Sequence, residues 1–237
     1  MPTLNKRSKK QEALDNLNLS GKKLEQTLRQ LAFINKSLGN TSSLIGEVLK
    51  VAEEHQLKEI KVIDLGCGGG DVLTVLAKKL KRKGITYSLV GIDGNMHALE
   101  HAKKASQDIS SLSFKQADIL AKDFELDTCD ILISSHFMYH FEEEALIQFL
   151  RKHITSVKYS ILISELERSK WSFLLFRIFS PLFGFNQLVK TDGLTAIQRA
   201  YKRSEIKQLL SIFGQGTVQI IPKFFFRMII KINPQGL

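Results

Sequence analysis

The chain has 237 residues, of which 43% are hydrophobic and 24% are charged, and this composition indicates one globular α/β domain with additions. The net charge of +10 would suit an acidic partner, but the basic residues cluster at 6–10 and 78–83. The second cluster lies at a predicted helix end, where the helix dipole favours cations, so nucleic acid is not the expected partner. No apolar run approaches the ~20 residues of a membrane span, and two cysteines without a secretory leader argue against a disulfide-rich secreted protein, so we expect a cytoplasmic location.

The amino-terminal part of the chain is predicted to lie outside the main domain. Residues 1–10 are polar and basic, which is typical of a disordered tail. The range 11–55 has helical periodicity, with a helix stop and a fresh helix start expected at Gly39-Asn40. We therefore divide the chain into a basic tail with a helical cap at 1–56 and a main domain at 57–237.

A strand, a glycine-rich loop and a helix are predicted to follow one another after this cap. The range 60–65 is rich in β-branched and aliphatic residues, as is a strand that is buried on both faces of a parallel sheet. Gly66, Gly68 and Gly70 allow a sharp turn and a close approach of the backbone to a ligand. Asp71 can cap the helix that follows. These features predict the first half of a nucleotide-binding βαβ unit.

The charge beside this loop distinguishes between nucleotide ligands. A dinucleotide fingerprint would place its third glycine at position 71, where this chain has aspartate. Asp64, at the strand end, would repel a pyrophosphate but attract a ligand that carries an ammonium and a sulfonium. The pattern D-x-G-x-G-x-G therefore favours S-adenosylmethionine over NAD, with a loop that binds no ligand as the remaining alternative. It resembles the first motif of the class I S-adenosylmethionine-dependent methyltransferases.

Residues at the ends of later strands are predicted to complete the cofactor site. Asp93 ends a second strand, 23 positions after Gly70, close to the offset at which an acid meets the ribose hydroxyls. The resemblance implies that Asp118 accepts from the adenine amino group and that Ile119 lies against the ring, although aspartate here is also typical of a turn. The predicted cofactor-binding residues are Asp64, Gly66, Cys67, Gly68, Gly70, Asp93, Gly94, Asn95, Asp118, Ile119, Ser134 and Ser135.

The loop after the fourth strand is predicted to face the reacting methyl group, because ligands of open α/β sheets lie beyond the carboxyl ends of the strands. His136 and His140 follow the strand at 130–135, and either imidazole could remove a proton from the acceptor. In the family, the histidine that corresponds to His140 often has a structural role instead. Tyr139 is a candidate contact of the acceptor, and no metal site is predicted.

The range 165–203 is predicted to form an insertion over the acceptor pocket. Its apolar segment at 171–185 is rich in aromatic residues and too short to span a bilayer. It forms either a lid that lines the pocket or an interfacial helix against lipid, and we favour the lid because aromatic-rich segments are usually buried. A turn is predicted at Thr191-Asp192-Gly193, and Ser204 is predicted to cap the next helix.

The last part of the chain is predicted to be a β-hairpin, with strands at 217–221 and 224–232. The five earlier strands alternate with helices, which predicts a parallel sheet. In the methyltransferase family a carboxy-terminal hairpin completes this sheet. We therefore predict an α/β fold with a Rossmann-like, doubly wound sheet of seven strands, the last of them antiparallel, together with an amino-terminal helical extension and a helical lid insertion.

A narrower resemblance links the chain to bacterial small-molecule methyltransferases that are found beside polyketide or pigment synthesis enzymes. It rests on the leader at 24–39, the segment 165–169, Asp192-Gly193 and the motif at 199–201. That group often has aspartate where Glu165 stands, so no role is transferred to this residue. The resemblance implies that a helical extension covers the cofactor or acceptor pocket, with packing alone as the alternative. The predicted acceptor contacts are Tyr139, Arg168 and Trp171.

These patterns together predict an S-adenosylmethionine-dependent methyltransferase that acts on a small, largely apolar, aromatic or polyketide-like acceptor at oxygen. Enzymes that methylate base amines are disfavoured because no proline pair follows the fourth strand. An RNA methyltransferase, supported only by the charge, and a non-catalytic scaffold are the alternatives. The expected partners are the small-molecule acceptor and, through the apolar insertion, a membrane or a lipophilic substrate. The oligomeric state is left open.

Overall fold

The computed structural model describes residues 4–214 and 216–234, in which seven strands form one sheet. The strands are β1 (Glu59–Leu65), β2 (Thr86–Asp93), β3 (Leu112–Gln116), β4 (Cys129–Ser135), β5 (Val157–Leu166), β6 (Val218–Lys223) and β7 (Arg227–Ile232). Their order is β3-β2-β1-β4-β5-β7-β6. The first five strands are parallel, whereas β7 is antiparallel to both β5 and β6. The predicted Rossmann-like fold with its carboxy-terminal hairpin is confirmed.

Helices cover both faces of the sheet. They are α1 (Gly21–Ser37), α2 (Asn40–Glu54), α3 (Asp71–Arg82), α4 (Met96–Ala105), α5 (Glu143–His153), α6 (Lys170–Leu182), α7 (Gln187–Arg199) and α8 (Arg203–Leu209). The helices α6 and α7 pack against each other within the predicted insertion. Within the described residues, no helix has the length and hydropathy that a membrane crossing requires.

The core has two layers because alternate residues of the central strand point to opposite faces. Val62 is fully buried in the layer formed with α2 and α3, and Ile63 is fully buried in the layer formed with α5 and α8. Asp64 pairs in register with Gly91 of β2 on one side and with Ile133 of β4 on the other. The strand order therefore reverses at β1, and in open α/β sheets this reversal opens a ligand crevice beyond the strand ends.

The amino-terminal region corrects the prediction of a disordered tail. Residues 4–19, which we call the strap, pack along α7 and across the open end of the sheet. Leu4 is buried against Phe173, and the Arg7 Nε donates to the Arg199 carbonyl oxygen at 2.8 Å. The strap has the composition of a disordered tail. The residues that hold it lie far away in sequence, so no local pattern indicated that it would be ordered. The first three residues of that prediction lie outside the described part of the chain.

The turn predicted at Thr191-Asp192-Gly193 is also wrong, because these residues lie inside α7. The carboxylate of Asp192 accepts hydrogen bonds from the backbone N–H groups of Ala13 and Leu14, at 3.0 and 2.9 Å. A Cβ atom on Gly193 would lie 2.4 Å from the Phe176 ring of α6. Turn-forming residues occur here because α7 must hold the strap on one side and pack closely on α6 on the other.

The start of α8 differs by a small shift from the prediction. Ser204 is the second residue of the helix, and Lys202 is its cap residue. Glu205 accepts a hydrogen bond from the Lys202 backbone N–H at 2.9 Å, which satisfies one of the free donors of the first turn. The helix predicted there is correct, and its cap is not.

Candidate active site

A cavity of about 920 Å³ lies over the carboxyl ends of the parallel strands. The glycine loop between β1 and α3 lines one end, and α6, α7 and the β6–β7 turn line the other. The strap and α1 contribute further walls. Ligand pockets commonly measure about 300–1,000 Å³, so this cavity can hold a nucleoside cofactor together with a small acceptor.

The glycine loop forms a wall made of backbone. Gly66 has a φ of 71°, and a Cβ atom on it would lie 2.5 Å from the ring of Phe137. The backbone N–H groups of Gly66 and Cys67 both donate to the carbonyl oxygen of Ile92, at 2.8 and 3.1 Å. The loop is therefore tied to the end of β2, and only glycine fits its first position.

Asp64 presents a buried oxygen to this end of the cavity. The residue is 1% exposed, and its Oδ1 has no hydrogen-bond partner among the described residues. Burial raises the pKa of Asp64 well above its usual value, and the charges of Asp71 and Asp93 raise it further. A cationic group in the cavity would satisfy this oxygen and favour its ionised form. The residues at this end therefore fit the ammonium group of S-adenosylmethionine.

Asp93 is held in position by the glycine loop. Its Oδ2 accepts from the Gly68 backbone N–H and its Oδ1 from the Asn95 backbone N–H, both at 2.9 Å. Burial raises the pKa of Asp93, although these hydrogen bonds oppose the shift. A carboxylate offers about four lone pairs, so two remain for further donors such as a pair of ribose hydroxyls.

The predicted adenine end lies beyond Asp93. Asp118 lines the cavity, and its Oδ1 accepts from the Leu120 backbone N–H at 3.0 Å, so the residue also stabilises its own turn. Ile119 beside it is buried. Leu17 of the strap covers Gly94, where a Cβ atom would lie 2.8 Å from the Leu17 Cδ2. The strap therefore reaches this end of the cavity as well.

Ten of the twelve predicted cofactor residues line this one cavity, namely Asp64, Gly66, Cys67, Gly68, Asp93, Gly94, Asn95, Asp118, Ile119 and Ser135. Gly70 and Ser134 do not line it. Gly70 is the cap residue of α3 and lies against the ring of Phe114, and the Ser134 Oγ donates to the Leu65 carbonyl oxygen at 3.0 Å. Gly70 and Ser134 therefore have structural roles beside the cavity. The contacts of the other ten residues with a cofactor stay a prediction.

His140 forms a pair with a carboxylate from the strap. The His140 Nδ1 lies 3.2 Å from the Asp15 Oδ1, and both residues line the cavity. Burial raises the pKa of Asp15, but the hydrogen bond and the charge of His140 outweigh burial and hold that pKa at about 2. Arg199 also pairs with Asp15, at 2.8 Å. Asp15 is thus ionised near neutral pH and orients the imidazole.

Glu12 lies next to this pair in a much less polar setting. Burial raises the pKa of Glu12 to about 8, against the lowering effect of the Arg199 charge. The Tyr139 hydroxyl donates to the Glu12 Oε2 at 3.1 Å. Tyr139 lines the cavity as predicted for an acceptor contact, but its hydroxyl is already engaged with the strap.

His136 also lines the cavity, but within the described chain it lacks the carboxylate partner that His140 has. Its backbone φ is 54°, and neither ring nitrogen has a hydrogen-bond partner among the residues that the structure covers. Burial lowers the pKa of His136 to about 3, and the charge of Arg227 contributes to this shift. His136 is therefore neutral over the physiological range, and no carboxylate orients it.

Two of the three predicted acceptor contacts are corrected. Arg168 is 3% exposed and lies outside the cavity, where it donates to the Leu4 carbonyl oxygen at 3.1 Å and pairs with Glu205. Trp171 is 66% exposed on the outer face of α6 and does not line the cavity either. Arg168 therefore anchors the strap, and the indole of Trp171 is exposed to solvent.

The sequence patterns did not reveal the strap residues Glu12 and Asp15 or the cavity residue Arg227. The first two lie in a stretch whose composition resembles a tail, and the third lies in an ordinary hairpin strand. No local pattern marks any of them. The only related signal is Asp192-Gly193, which is typical of a turn but marks the place where the strap binds α7.

Comparisons with known proteins agree with this geometry. A family model described as a methyltransferase domain matches residues 56–209. A search of curated protein sequences finds no match. Magnesium protoporphyrin IX methyltransferase from Synechocystis PCC 6803, with bound SAH, has a similar structure with a TM-score of 0.55 and 16% identity, over 85% of this chain and 87% of that one.

Two further solved structures are similar. The plantazolicin methyltransferase BpumL in complex with SAH gives a TM-score of 0.61 and 18% identity, over 89% of this chain and 95% of the other. The methyltransferase domain of bacterial CtHen1 gives a TM-score of 0.56 and 19% identity, over 83% and 99%. At these identities the likeness shows the fold. Because the family match spans more than half of the chain, the chain belongs to the class I S-adenosylmethionine-dependent methyltransferase family.

Proposed function

We propose that this chain transfers a methyl group from S-adenosylmethionine to a hydroxyl oxygen of a small, apolar acceptor, with His140 as the general base. The observation that carries the proposal is the contact of the His140 Nδ1 with the Asp15 Oδ1 at 3.2 Å on the cavity wall. Of the two candidate histidines, only His140 has a carboxylate partner among the described residues.

The cofactor, when bound, supplies a methyl group on a sulfonium, which is already activated toward displacement. Asp64 and Asp93 both line the cavity, which supports Asp64 as the residue that would hold the ammonium group and Asp93 as the one that would hold the ribose hydroxyls. The chain then has to align the acceptor, exclude water and remove one proton. These residues stay predictions for the bound state.

The acceptor end of the cavity is apolar and aromatic, which supports an apolar acceptor. Its walls include Phe33, Phe137, Leu175, Phe176, Phe179, Phe183 and Phe185. A hydroxyl bound there would attack the methyl carbon while its proton passes to the His140 Nε2. The sulfonium becomes a neutral thioether. If the Nδ1–H donates to Asp15, the Nε2 is the free acceptor, so the carboxylate selects the tautomer that a base requires.

Cofactor binding is tested by titration calorimetry with S-adenosylmethionine on the wild type and on Asp93→Ala. Charge-assisted hydrogen bonds contribute about 1.5–3 kcal/mol each, so the variant should bind at least about 10-fold more weakly. If the wild type itself gives no heat, the proposed activity is wrong and the scaffold interpretation stands.

Catalysis is tested by screening phenols, hydroxyquinones and fatty acids for the mass gain of one methyl, followed by kinetics on the best acceptor. His140→Asn should lower kcat by about 10²–10⁴-fold, because a positioned base contributes this much. Asp15→Asn should lower kcat as well. His97→Asn is the matched control, since His97 lies 3.4 Å from Glu100 on the exposed face of α4 and should leave kcat unchanged. A His140→Asn enzyme with wild-type kcat would rule out His140 as the base.

A further inference from the structure

Arg227, the first residue of β7, is a buried cation without a charged partner. It is 5% exposed and lines the large cavity. Among the residues that the structure describes, its guanidinium makes one hydrogen bond, from Nη1 to the Phe225 carbonyl oxygen at 3.1 Å, and its Nε has no partner. Burial lowers the pKa of Arg227 to about 10, and no neighbouring carboxylate counteracts this effect.

The other buried arginine of the described chain, Arg168, is paired, as is the half-buried Arg199. Arg168 binds Glu205 and three backbone carbonyl oxygens, and Arg199 binds both Glu12 and Asp15. An uncompensated buried charge costs several kcal/mol, and native proteins rarely keep one without use. Arg227 is therefore the exception, and an anionic ligand would explain it.

The surroundings of Arg227 also favour an anion. Arg227 lines a crevice of about 280 Å³ that adjoins the large cavity, at the amino-terminal end of α2. The cap residue of that helix, Gly39, offers no side-chain oxygen to the first backbone N–H groups, which carry the positive end of the helix dipole. Ser43 lines the same crevice and adds a hydroxyl.

The position of Arg227 in the sheet points to the acceptor as the source of the anion. Asp64 lies at the end of β1, and Arg227 lies three strands away in the order β1-β4-β5-β7. At a strand spacing of about 4.8 Å, the two are separated by about 14 Å across the sheet. The crevice that Arg227 lines contains no residue of the glycine loop, so we assign the anion to the acceptor rather than to the carboxylate of the cofactor.

We propose that Arg227 and the amino-terminal end of α2 form an anion-binding subsite of the acceptor cavity. The acceptor is then an apolar molecule that carries a carboxylate or a phosphate ester at the end remote from the reacting hydroxyl. This inference rests on the proposed function for the identity of the cavity as the acceptor site, but its test needs no turnover.

The test measures, by calorimetry, the binding of decanoate, decyl phosphate and 1-decanol to the protein saturated with S-adenosylhomocysteine. The wild type should bind at least one of the two anions about 10-fold or more tightly than the alcohol, as expected for a desolvated charge-assisted contact. The comparison of the two anions identifies the source of the negative charge. Arg227→Gln should abolish the preference, and Arg227→Lys should keep part of it.

Arg203→Gln is the matched control, because Arg203 is exposed and pairs with Glu167 at 2.8 Å outside the cavity. Unchanged binding of S-adenosylhomocysteine to each variant verifies that it is folded. A wild type that prefers neither anion, or a preference that survives in Arg227→Gln, overturns the subsite. Failure of the proposed activity would instead appear as missing methyl transfer with the binding preference intact.

A second inference comes from the outer surface of α6. Trp171, Leu175, Ile178 and Leu182 lie at positions i, i+4, i+7 and i+11 and are 66%, 40%, 50% and 75% exposed. This spacing places them along one face of the helix. We call these four residues the apolar stripe. A contiguous exposed surface of this kind marks an interaction site more often than a solvent-facing helix.

The stripe is continuous with the mouth of the cavity. Leu175 belongs to the stripe and also lines the cavity. The neighbouring Phe179, which is 48% exposed, lines the cavity too but lies outside the stripe. Two other elements contribute in the same way, namely α1 through Phe33 at 52% and the β6–β7 turn through Phe225 at 58%. Three separate elements thus surround the opening with exposed apolar side chains.

The charge around this surface has one sign. The range 168–190 contains no acidic residue, and its Lys170 and Arg177 are exposed. Apolar side chains flanked by cations are typical of peripheral binding to anionic lipid. We infer that the apolar stripe binds an anionic bilayer surface, so that a lipophilic acceptor enters the cavity from the membrane.

Trp171 is the only tryptophan of the chain, so its fluorescence reports directly on this surface. Vesicles of phosphatidylcholine with phosphatidylglycerol should shift its emission to shorter wavelength, and salt should weaken the effect. The double variant Ile178→Glu with Leu182→Glu should lose the shift, although neither residue lines the cavity. Ile212→Glu, at a position 47% exposed outside the stripe, should keep it.

An emission that vesicles do not change would overturn the membrane inference. The inference would also fail if the shift appeared without vesicles as the protein concentration rises, because a second copy would then cover the stripe. Vesicle sedimentation of the three proteins provides an independent readout. A stripe variant that sediments with vesicles as well as the wild type would contradict the inference.

Discussion

At the scale of single residues, Glu12 links the stability of the site to pH. Its carboxyl group is buried beside Tyr139 and Arg199, and burial raises its pKa from 4.5 to about 8. Below pH 4.5 the group is protonated in both the folded and the unfolded chain. Between pH 4.5 and 8 the folded chain holds a proton that the unfolded chain releases, so stability falls as pH rises through this window.

We therefore expect Glu12→Gln to remove this dependence, because a glutamine binds no proton. The unfolding free energy of the wild type, relative to the variant, should fall from pH 5 to pH 8 by up to about 1.4 kcal/mol per pH unit. Urea denaturation at the two pH values measures it. The lowered pKa of Asp15 acts only in more acidic solution, so it does not disturb the comparison. Parallel pH profiles for the two proteins would contradict the assignment of a buried, protonated Glu12.

Residues whose function depends on local sequence could be predicted, and the others could not. Asp64, Gly66, Gly68 and Asp93 stand at fixed offsets around one strand–loop–helix unit, and the structure brings them to one cavity as that pattern indicates. Asp15 and Arg227 enter the same cavity from the two ends of the chain. Their positions follow from tertiary packing, which no spacing in the sequence encodes.

At the scale of elements, Arg7 attaches the first part of the strap to the rest of the molecule. The guanidinium donates to the carbonyl oxygens of Arg199 and Tyr139, at 2.8 and 2.6 Å, and lies 3.7 Å from the centre of the Tyr201 ring. Hydrogen bonds from a charged group contribute about 1.5–3 kcal/mol each, so this one side chain contributes substantially to holding the strap.

We expect Arg7→Met to open the strap without unfolding the sheet. In hydrogen exchange, the amides of Ser8, Ala13 and Leu14 should lose protection, because their acceptors lie on α7. The amides of β1 should keep theirs. Lys9→Met is the matched control, since Lys9 is exposed and makes only a surface ion pair with Glu142 at 3.7 Å. Equal protection of the strap in both variants would show that Arg7 does not hold it.

The α6 helix shows why one pattern supports two interpretations. Its aromatic-rich sequence is compatible with either a pocket lid or a lipid-facing helix. In the structure, Phe176 and Phe179 line the cavity, whereas Trp171 and Leu182 face outward, and Leu175 lies at the boundary between the two surfaces. Hydrophobic residues on more than one side of a helix give no single preferred face, so periodicity could not decide between the two surfaces.

At the scale of the whole molecule, the sheet could be predicted almost completely. Alternating strands and helices indicate parallel neighbours with right-handed crossovers, and the short connection after β6 indicates a hairpin. The number of strands and the antiparallel last strand came from the family resemblance, and the order of the strands was not predicted. The wall that the strap contributes to the cavity could not be predicted, because it depends on contacts between residues 127 to 192 positions apart.

The long separation between the strap and its partners has a consequence for biosynthesis. A ribosome makes the strap first, but the acceptors that hold Ser8 and Arg7 on α7 appear about 190 residues later. The glycine loop and the first five strands can fold while translation continues, since domains form as their segments emerge. The strap therefore stays unattached until α7 has been synthesised. Asp15 is therefore held beside His140 only late in translation, once α7 has been made.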